Sequence, residues 1–178
     1  MGLGTTHRAV LGLLSLGATH GYDLFRILDG GDGVSRLVAL KPATVYAVLH
    51  DLEAQGLVQG EQLTEGYPPR TRFAVTNAGK VSLDAWLTEP VHRIREVRSD
   101  FLLKMYFARR LLEDGGLRLL EQQLDIIAEY SRRLEEELSV FPPESFDYLV
   151  LESKVTAAQI TENWLKRHRE RLVAARPG

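Results

Sequence analysis

Residues 41–56, KPATVYAVLHDLEAQG, decide the predicted fold of this chain. Pro42 stands where the first turn of a helix tolerates proline, and Gly56 is typical of the residue that follows a helix. Between them, apolar side chains recur at the spacing of three and four residues that places them on one helical face: Val45, Val48, Leu49 and Leu52. The stretch therefore predicts an amphipathic helix with one face in a core.

Two shorter helices are predicted upstream of this stretch. The first carries an apolar stripe from Val10 to Leu14 and ends at Gly17. The second begins near Thr19 or His20, with Thr19 as its cap, and ends at Gly30-Gly31. Its apolar and aromatic residues are all expected to be buried: Tyr22, Leu24, Phe25, Ile27 and Leu28.

Downstream of Gly56 the pattern changes from the period of a helix to that of a strand. Residues 57–63 and 71–76 read as two short strands, and the residues between them are typical of a turn. A fourth helix follows from about Thr76, with four residues expected to face inward: Val81, Leu83, Trp86 and Leu87. This order of three helices and a hairpin is that of a winged helix-turn-helix.

Pro90 marks the predicted domain boundary. Beyond it we predict three helices over about 97–112, 117–141 and 144–174 and no strand. The fold class is therefore mainly α with a small β-hairpin: a winged helix-turn-helix DNA-binding domain over 1–90, and an α-helical dimerisation region over 91–178. The last helix carries a rough apolar stripe: Phe146, Leu149, Val150, Ala157, Ile160, Trp164 and Leu172.

The middle helix of the tail is the predicted dimerisation element. Its apolar residues follow the spacing of a coiled-coil or bundle helix: Leu117, Leu120, Leu124, Ile127, Leu134 and Leu138. Such stripes need a partner, and a second copy of the chain is expected because two-fold dimers are the commonest oligomers. The alternative is a monomer whose tail folds back on its own head.

Composition excludes several classes of protein. The 178 residues contain no cysteine, which excludes disulfides, thiolate zinc sites and a thiol nucleophile. The histidines show no metal-ligand spacing, so we expect no metal and no cofactor. No signal peptide or membrane span is evident, and we expect a cytoplasmic protein that does not bind membranes. The net charge of −2 gives no sign of nucleic-acid binding, so that prediction depends on local charge and fold.

Five segments in order resemble the PadR family of transcriptional regulators. They match its patterns ILGLL, HGYEL, SPGTIYPALxxLE, GLV and PxRKYYxLTxAG, and here they are residues 9–14, 20–24, 41–53, 56–58 and 69–79. The resemblance covers roughly residues 8–88, and residues 100–108 are similar to the apolar start of the family's helical dimerisation region. Lys41, Ala43 and Ala47 depart from the family's commoner Ser, Gly and Pro.

The resemblance implies that the helix of residues 41–56 enters the major groove of DNA with its N-terminal end nearest the bases. Between Gly33 and His50 there are two cations and no acid. The predicted DNA-binding residues are Lys41, Pro42, Ala43, Thr44 and Tyr46 on this helix and Arg70, Thr71 and Arg72 in the wing. His20, Tyr22 and Arg36 are expected to contact the DNA backbone or to be structural, and Glu61 and Glu65 to point away from DNA.

The family resemblance also implies the function of a repressor, and it makes residues 91–178 a possible effector region as well as the dimerisation region. We expect a homodimer that binds double-stranded DNA at a pseudo-palindromic operator and is released by a small aromatic or hydrophobic effector. Aromatic and sulfur side chains at the expected junction of head and tail either line its pocket or pack in the core: Trp86, Phe101, Met105, Tyr106 and Trp164. The alternative function is a winged-helix module for protein–protein interaction. No catalytic motif is present, so we expect no enzyme.

Overall fold

The computed structural model describes residues 3–31, 33–63 and 70–175, with only the backbone of Arg70. The helices are α1 (Thr5–Ser15), α2 (Gly21–Asp29), α3 (Pro42–Ala54), α4 (Asn77–Thr88), α5 (Asp100–Leu111), α6 (Leu117–Leu138) and α7 (Phe146–Ala174). Two 3₁₀ helices cover Gly33–Arg36 and Ile94–Arg98, and the strands are β1 (Val58–Leu63) and β2 (Arg70–Val75). The predicted class, mainly α with a small hairpin, is confirmed.

The winged-helix core forms where α1, α2 and α3 converge. The apolar face predicted for α3 is buried throughout, and residues 9–14 of α1 are buried as well. Leu24 and Leu28 of α2 complete this layer. Gly56 ends α3 in the left-handed region, with φ of 69°, which glycine adopts without steric cost.

The β-hairpin is a two-stranded antiparallel sheet. Its register runs from Val58 opposite Val75 to Leu63 opposite Arg70. The loop between α1 and α2 joins its edge, because the backbone N–H of Phe73 donates to the carbonyl of Thr19 at 2.7 Å. Phe73 itself is buried in the winged-helix core, so the wing is fixed to the head by both backbone and side chain.

The structure corrects the predicted start of α2. The capping residue is His20, not Thr19, and it makes no side-chain capping bond. Thr19 lies one residue before the cap. Its carbonyl accepts the hydrogen bond from the backbone N–H of Phe73 on β2. Thr76 does cap α4, since its hydroxyl accepts from the N–H of Gly79 at 3.1 Å.

Three residues predicted to be buried are exposed instead. Tyr22 and Ile27 on α2 are 65% and 37% exposed, and Val81 on α4 is 69% exposed. Each lies on a short helix that buries a different face, Leu24 and Leu28 on α2 and Leu83, Trp86 and Leu87 on α4. Their exposure follows from the narrow contact that a short helix makes with its neighbours.

The tail is built on a hairpin of two long helices. Residues 119–127 of α6 pack near Leu165, and Leu134 packs near Leu151 and Val155, so α6 and α7 run antiparallel. Four of the residues predicted to mediate dimerisation are therefore buried within their own chain: Leu120, Leu124, Ile127 and Leu134. Burial of this stripe needs no second copy, and its role in dimerisation stays a prediction.

The apolar stripe predicted on the last helix does not form the buried face of α7. Phe146, Leu149 and Ile160 are exposed, while α7 contacts α6 through Leu151, Val155, Ala158 and Leu165. The two sets lie on different sides of α7, because positions 149 and 160 share one helical face and 151, 158 and 165 share another. The exposed set is called the α7 stripe below.

Helix α5 connects the two halves of the chain. Leu103 and Phe107 belong to the winged-helix core, with the Phe107 ring against Gly12 of α1, while Phe101 and Met105 belong to the tail core. The division at residue 90 stays a prediction. None of the helices in the described residues combines the length and the apolar character that crossing a membrane requires.

Candidate nucleic-acid interface

The N-terminal end of α3 forms the exposed tip of the winged helix. Lys41 is the capping residue and Pro42 begins the helix, and their side chains are exposed together with those of Ala43 and Thr44. No acidic residue lies in the first turn. A helix N-terminus carries partial positive charge and free N–H groups that attract phosphate. The sequence-predicted residues of α3 are therefore brought together on one surface that suits an anion.

The acidic residues of α3 lie at its other end, where the fold engages them. Asp51 is 3.4 Å from Nε2 of His7 on α1. Glu53 accepts a hydrogen bond at 2.8 Å from the backbone N–H of Gly60 on β1. The helix thus separates its charges, with Lys41 at the exposed end and both carboxylates near the hairpin and α1.

Tyr46 is anchored against the start of α2. It is 46% exposed, and its ring lies so close to Gly21 that a Cβ there would come within 2.6 Å of Cε1. Only glycine fits at position 21 while the ring keeps this place. The hydroxyl end of Tyr46 is thereby held beside the N-terminus of α2, a second helix end with free N–H groups.

Contacts between α2 and the wing set the position of the hairpin. Nδ1 of His20 lies 3.0 Å from the carbonyl oxygen of Thr71, which gives His20 and the backbone of Thr71 a structural role. Tyr22 stands exposed on the same end of α2, and Arg36 is exposed on the first 3₁₀ helix. Tyr22 and Arg36 are thus exposed, whereas His20 contacts the wing. Contact of these residues with DNA stays a prediction.

The wing carries both signs of charge on one face. Arg72 is exposed and lies directly opposite Glu61 in the sheet register. Because cross-strand partners share a face, Glu61 lies on the same face of the hairpin as Arg72. That Glu61 points away from DNA stays a prediction. The tip at residues 64–69, with Glu65, and the side chain of Arg70 lie outside the described residues.

The five residues predicted for an effector pocket are divided between the core and two cavities of the tail. Trp86, Phe101 and Met105 are buried, and Met105 also lines one of these cavities together with Tyr106. Trp86 donates from Nε1 to Asp100 at 3.3 Å and lies beneath the cationic groups of Arg8 and Lys104, so it joins α4 to α1 and α5. Tyr106 and Trp164 are partly exposed and line two neighbouring cavities of the tail. Their role in effector binding stays a prediction.

Two features of the tail were missed by sequence reasoning. Gln123 is fully buried on α6, although glutamine is mostly found on exposed surfaces. The adjacent cations Arg109 and Arg110 reach a cavity of about 540 Å³ that also contains His168 of α7. The adjacent arginines near the end of α5 were the feature of the sequence that could have indicated this cavity. In the described ranges, no group of histidine and acidic residues is placed to hold a metal ion.

Comparison with known proteins shows a similarity to one family. A family model described as the transcriptional regulator PadR-like family matches residues 10–85. Over these residues the chain is similar to the PadR-like transcriptional regulators. A second model, described as the C-terminal part of virulence activator alpha, matches residues 97–173. The PadR-like match covers the winged helix, and the second covers most of the tail. The family consists of transcriptional regulators, which is a class of DNA-binding protein and not a class of enzyme.

Individual proteins are similar to this chain along most of its length. The negative transcriptional regulator PadR of Bacillus subtilis (strain 168) is 25% identical over 169 residues, which are 89% of this chain and 92% of that protein. A crystal structure of Bacillus subtilis PadR in complex with operator DNA has 23% identity and a TM-score of 0.46, covering 92% and 96% of the two chains. One with p-coumaric acid has 24% identity and a TM-score of 0.41, covering 94% and 95%.

Proposed function

We propose that this PadR-like chain is a transcriptional repressor that binds operator DNA as a homodimer and is released by a small-molecule effector. The observation that carries the proposal is the exposed N-terminal end of α3, which has Lys41 at its cap and no acidic residue in its first turn. The winged-helix core holds this end outward, and similarity to the PadR-like family supports the class of function. We place the protein in the cytoplasm, where bacterial DNA lies.

The proposed DNA contacts follow from geometry. Lys41 and the N–H groups at the start of α3 hold phosphate, and Thr44 reaches a base edge or a phosphate in the major groove. Tyr46 donates its hydroxyl to a phosphate from its place beside Gly21. Arg72 brings the wing to the backbone of the adjacent groove, and Glu61 opposite it limits how closely that face approaches phosphate.

The proposed dimer uses the tail. The described surface of α7 carries an exposed apolar stripe of Phe146, Leu149 and Ile160, while the apolar residues of α6 are already buried by α7. A two-fold dimer places two copies of α3 side by side, so each reads one half-site. The division into a DNA-binding part before residue 90 and a dimerisation and effector part after it belongs to this proposal.

Repression and release rest on the relatives. The Bacillus subtilis relative is named a negative regulator, and one structure of that protein contains p-coumaric acid. In this chain a ligand that favours a dimer with the wrong spacing of its α3 helices weakens DNA binding by shifting the population. Linkage then requires that the ligand bind the DNA-free dimer more tightly than the DNA-bound dimer, by the same factor.

The experiment that tests the proposal is selection of bound duplexes from a random library by the full chain, followed by sequencing. We expect enrichment of two inverted half-sites whose centres lie about one helical turn, or ~34 Å, or a multiple of it apart. Transcription from a reporter that carries the selected site should fall when the protein is present. No enrichment over the input library would favour the protein-interaction module instead, and rising transcription would make the regulator an activator.

A further inference from the structure

Asp100 stands at the point where the chain passes from the winged helix into the tail. It is the first residue of α5. This helix takes part in both hydrophobic cores, because Leu103 and Phe107 pack in the core of the head and Phe101 packs in the core of the tail. A contact between the first turn of α5 and the head therefore acts on the angle between the two parts of the chain.

One oxygen of the Asp100 carboxylate meets side chains from three helices. Oδ2 accepts a hydrogen bond from Nε1 of Trp86 on α4 at 3.3 Å. The same oxygen lies 3.6 Å from Nη1 of Arg8 on α1 and 4.0 Å from Nζ of Lys104 on α5. Because α1 and α4 belong to the head and α5 leads into the tail, these contacts join the two parts at one point. The four residues are called the Asp100 cluster below.

The indole ring of Trp86 gives the Asp100 cluster a defined geometry. Cζ of Arg8 lies 5.1 Å from the centre of the ring, and Nζ of Lys104 lies 5.4 Å from it. Trp86 and Lys104 are both buried, and attraction between a cation and an aromatic ring is stronger when the pair is shielded from water. The ring therefore holds both cations close to the carboxylate that its own Nε1 contacts.

The charges of the Asp100 cluster do not cancel, because two cations share one carboxylate. Within the described part of the chain, Asp100 supplies the one carboxylate that lies within 4.0 Å of Arg8 or Lys104. Lys104 also donates to the backbone carbonyl of Glu89, which carries no full charge. Without the charge of Asp100, Arg8 on α1 and Lys104 on α5 would repel each other in a partly buried place. The carboxylate thus turns a repulsion between head and tail into an attraction.

The orientation of the head determines where α3 lies in a dimer. Helix α1, which Asp100 holds through Arg8, packs directly against α3 in the core of the head. In a two-fold dimer joined by the tails, a rotation of each head about α5 moves the two copies of α3 relative to each other. The separation of half-sites on DNA is strict, since one base pair changes it by ~3.4 Å and rotates one half-site by about 35°.

We propose that Asp100 is a positioning residue that sets the separation of the two α3 helices, by holding Arg8 of the head to Lys104 of α5, and so makes this chain selective for the spacing of operator half-sites. The inference rests on the proposed homodimer and its binding to DNA. The Asp100 cluster lies at the junction of head and tail and not at the exposed end of α3. Selectivity for spacing therefore comes from this junction, whereas selectivity for each half-site comes from α3 and the wing.

The first test measures the distance between the two heads in the dimer without DNA. The chain has no cysteine, so Gln55→Cys at the exposed C-terminal end of α3 places one spin label on each protomer for pulsed dipolar spectroscopy. We expect one narrow distance distribution in this parent and in Asp84→Asn, which removes an exposed carboxylate of α4. Asp100→Asn should shift or broaden the distribution by ~3 Å or more, the displacement of one base pair. Arg8→Gln removes the attraction without creating the repulsion, so its effect should be smaller.

The second test measures the affinity of the unlabelled variants for selected duplexes with altered spacing. The duplexes carry the selected spacing, one base pair more, one base pair less, or a single half-site. We expect the wild type and Asp84→Asn to prefer the selected spacing by about tenfold, and Asp100→Asn to prefer it by less than about threefold. Affinity for the single half-site should stay within about twofold in Asp100→Asn, because the surface of α3 is intact. A merely structural defect would instead weaken all four duplexes by the same factor.

Three outcomes would overturn the inference: Asp100→Asn has the distance distribution of Asp84→Asn, it keeps the spacing preference of the wild type, or it loses affinity equally for all four duplexes. If Asp100→Asn does not fold, as judged by its circular dichroism, Arg8→Gln is held to the same three criteria. A parent without a dipolar distance would be a monomer, which contradicts both the proposed dimer and this inference. Failure of the wild type to bind any duplex would contradict the proposed function, while the distances measured without DNA still decide whether Asp100 positions the heads.

Discussion

The side-chain amide of Gln123 makes both of its hydrogen bonds with the backbone of a single residue, Val91. The Val91 N–H donates to Oε1 at 2.8 Å, and Nε2 donates to the Val91 carbonyl at 2.9 Å. Both residues are buried. Val91 lies in the segment that connects α4 to the tail, and Gln123 lies on α6. The two hydrogen bonds therefore hold this connecting segment against the hairpin of α6 and α7.

Replacing Gln123 by leucine should destabilise the chain. The substitution leaves the buried N–H and carbonyl of Val91 without partners, at about 1–3 kcal/mol for each group. We expect the free energy of unfolding to fall by about 2–6 kcal/mol in urea denaturation. Gln122→Leu is the matched control, since Gln122 is the exposed neighbour and should change stability by less than about 0.5 kcal/mol. Equal effects of the two substitutions would refute the role of the amide pair.

Lys104 should make stability depend on alkaline pH. It is buried, donates to the carbonyl of Glu89, and has its pKa lowered below the ordinary value of 10.5, first by burial and in spite of Asp100 and Glu89. The folded chain therefore releases this proton at a lower pH than the unfolded chain. The contribution of Lys104 to the free energy of unfolding rises with pH between the lowered pKa and 10.5 and levels off above it.

The substitution Lys104→Met should remove this rise and leave the remaining pH dependence unchanged. Denaturation midpoints are compared for the wild type, Lys104→Met and the exposed control Lys80→Met across the alkaline range. The difference between wild type and Lys104→Met should change with pH in favour of the wild type as pH increases. A difference that stays constant would show that Lys104 titrates as in the unfolded chain.

The α7 stripe should determine the oligomeric state. Leu149→Glu places a charge on an exposed apolar position without disturbing the intrachain core, so we expect about a tenfold or greater weakening of the dimer in analytical ultracentrifugation and an unchanged circular dichroism spectrum. Val81→Glu introduces the same charge at an exposed valine of the head and should leave the dimer intact. If Leu149→Glu remains as dimeric as Val81→Glu, the dimer does not use this stripe.

We expect a substitution on α6 to affect folding before it affects dimerisation. Leu124 is 7% exposed and packs with the tail core. Leu124→Asp should therefore unfold the tail, because an unpaired carboxylate in that core is costly, and loss of the dimer would be secondary. A cooperative loss of helical signal at lower temperature than in the wild type identifies this case. A fully folded monomer would instead support α6 as the dimer interface.

The fold was predictable where local pattern and tertiary packing agree. The 3,4 spacing of Val45, Val48 and Leu49 defines the buried face of α3, and Gly56 ends it in both the pattern and the structure. The change of period after Gly56 gives the hairpin. The N-cap of α2 was missed because the backbone of Thr19 bonds to Phe73, which lies far along the chain and leaves no local signature.

The candidate site was predictable in part for the same reason. The exposed end of α3 was predictable from one contiguous stretch of sequence. Lys41 and Thr44 are exposed there, as the apolar spacing of the helix predicts. Which apolar side of α7 contacts α6 depends on the packing of two helices, so Leu149 and Ile160 were assigned to the same stripe as residues that are covered. The cavity combines Gly33, Met105 and His168, which only the folded chain brings together.

The most direct test of the central claim is the salt dependence of binding to a selected duplex, for the wild type, Lys41→Ala and the exposed tail control Lys154→Ala. The account predicts tight wild-type binding that prefers the selected site over random duplex. It predicts weaker binding of Lys41→Ala to both duplexes, with the slope of log K against log salt reduced by about one for each Lys41 lost. Lys154→Ala should match the wild type. Equal affinity for selected and random duplex, or an unchanged slope in Lys41→Ala, would contradict DNA recognition by this end of α3.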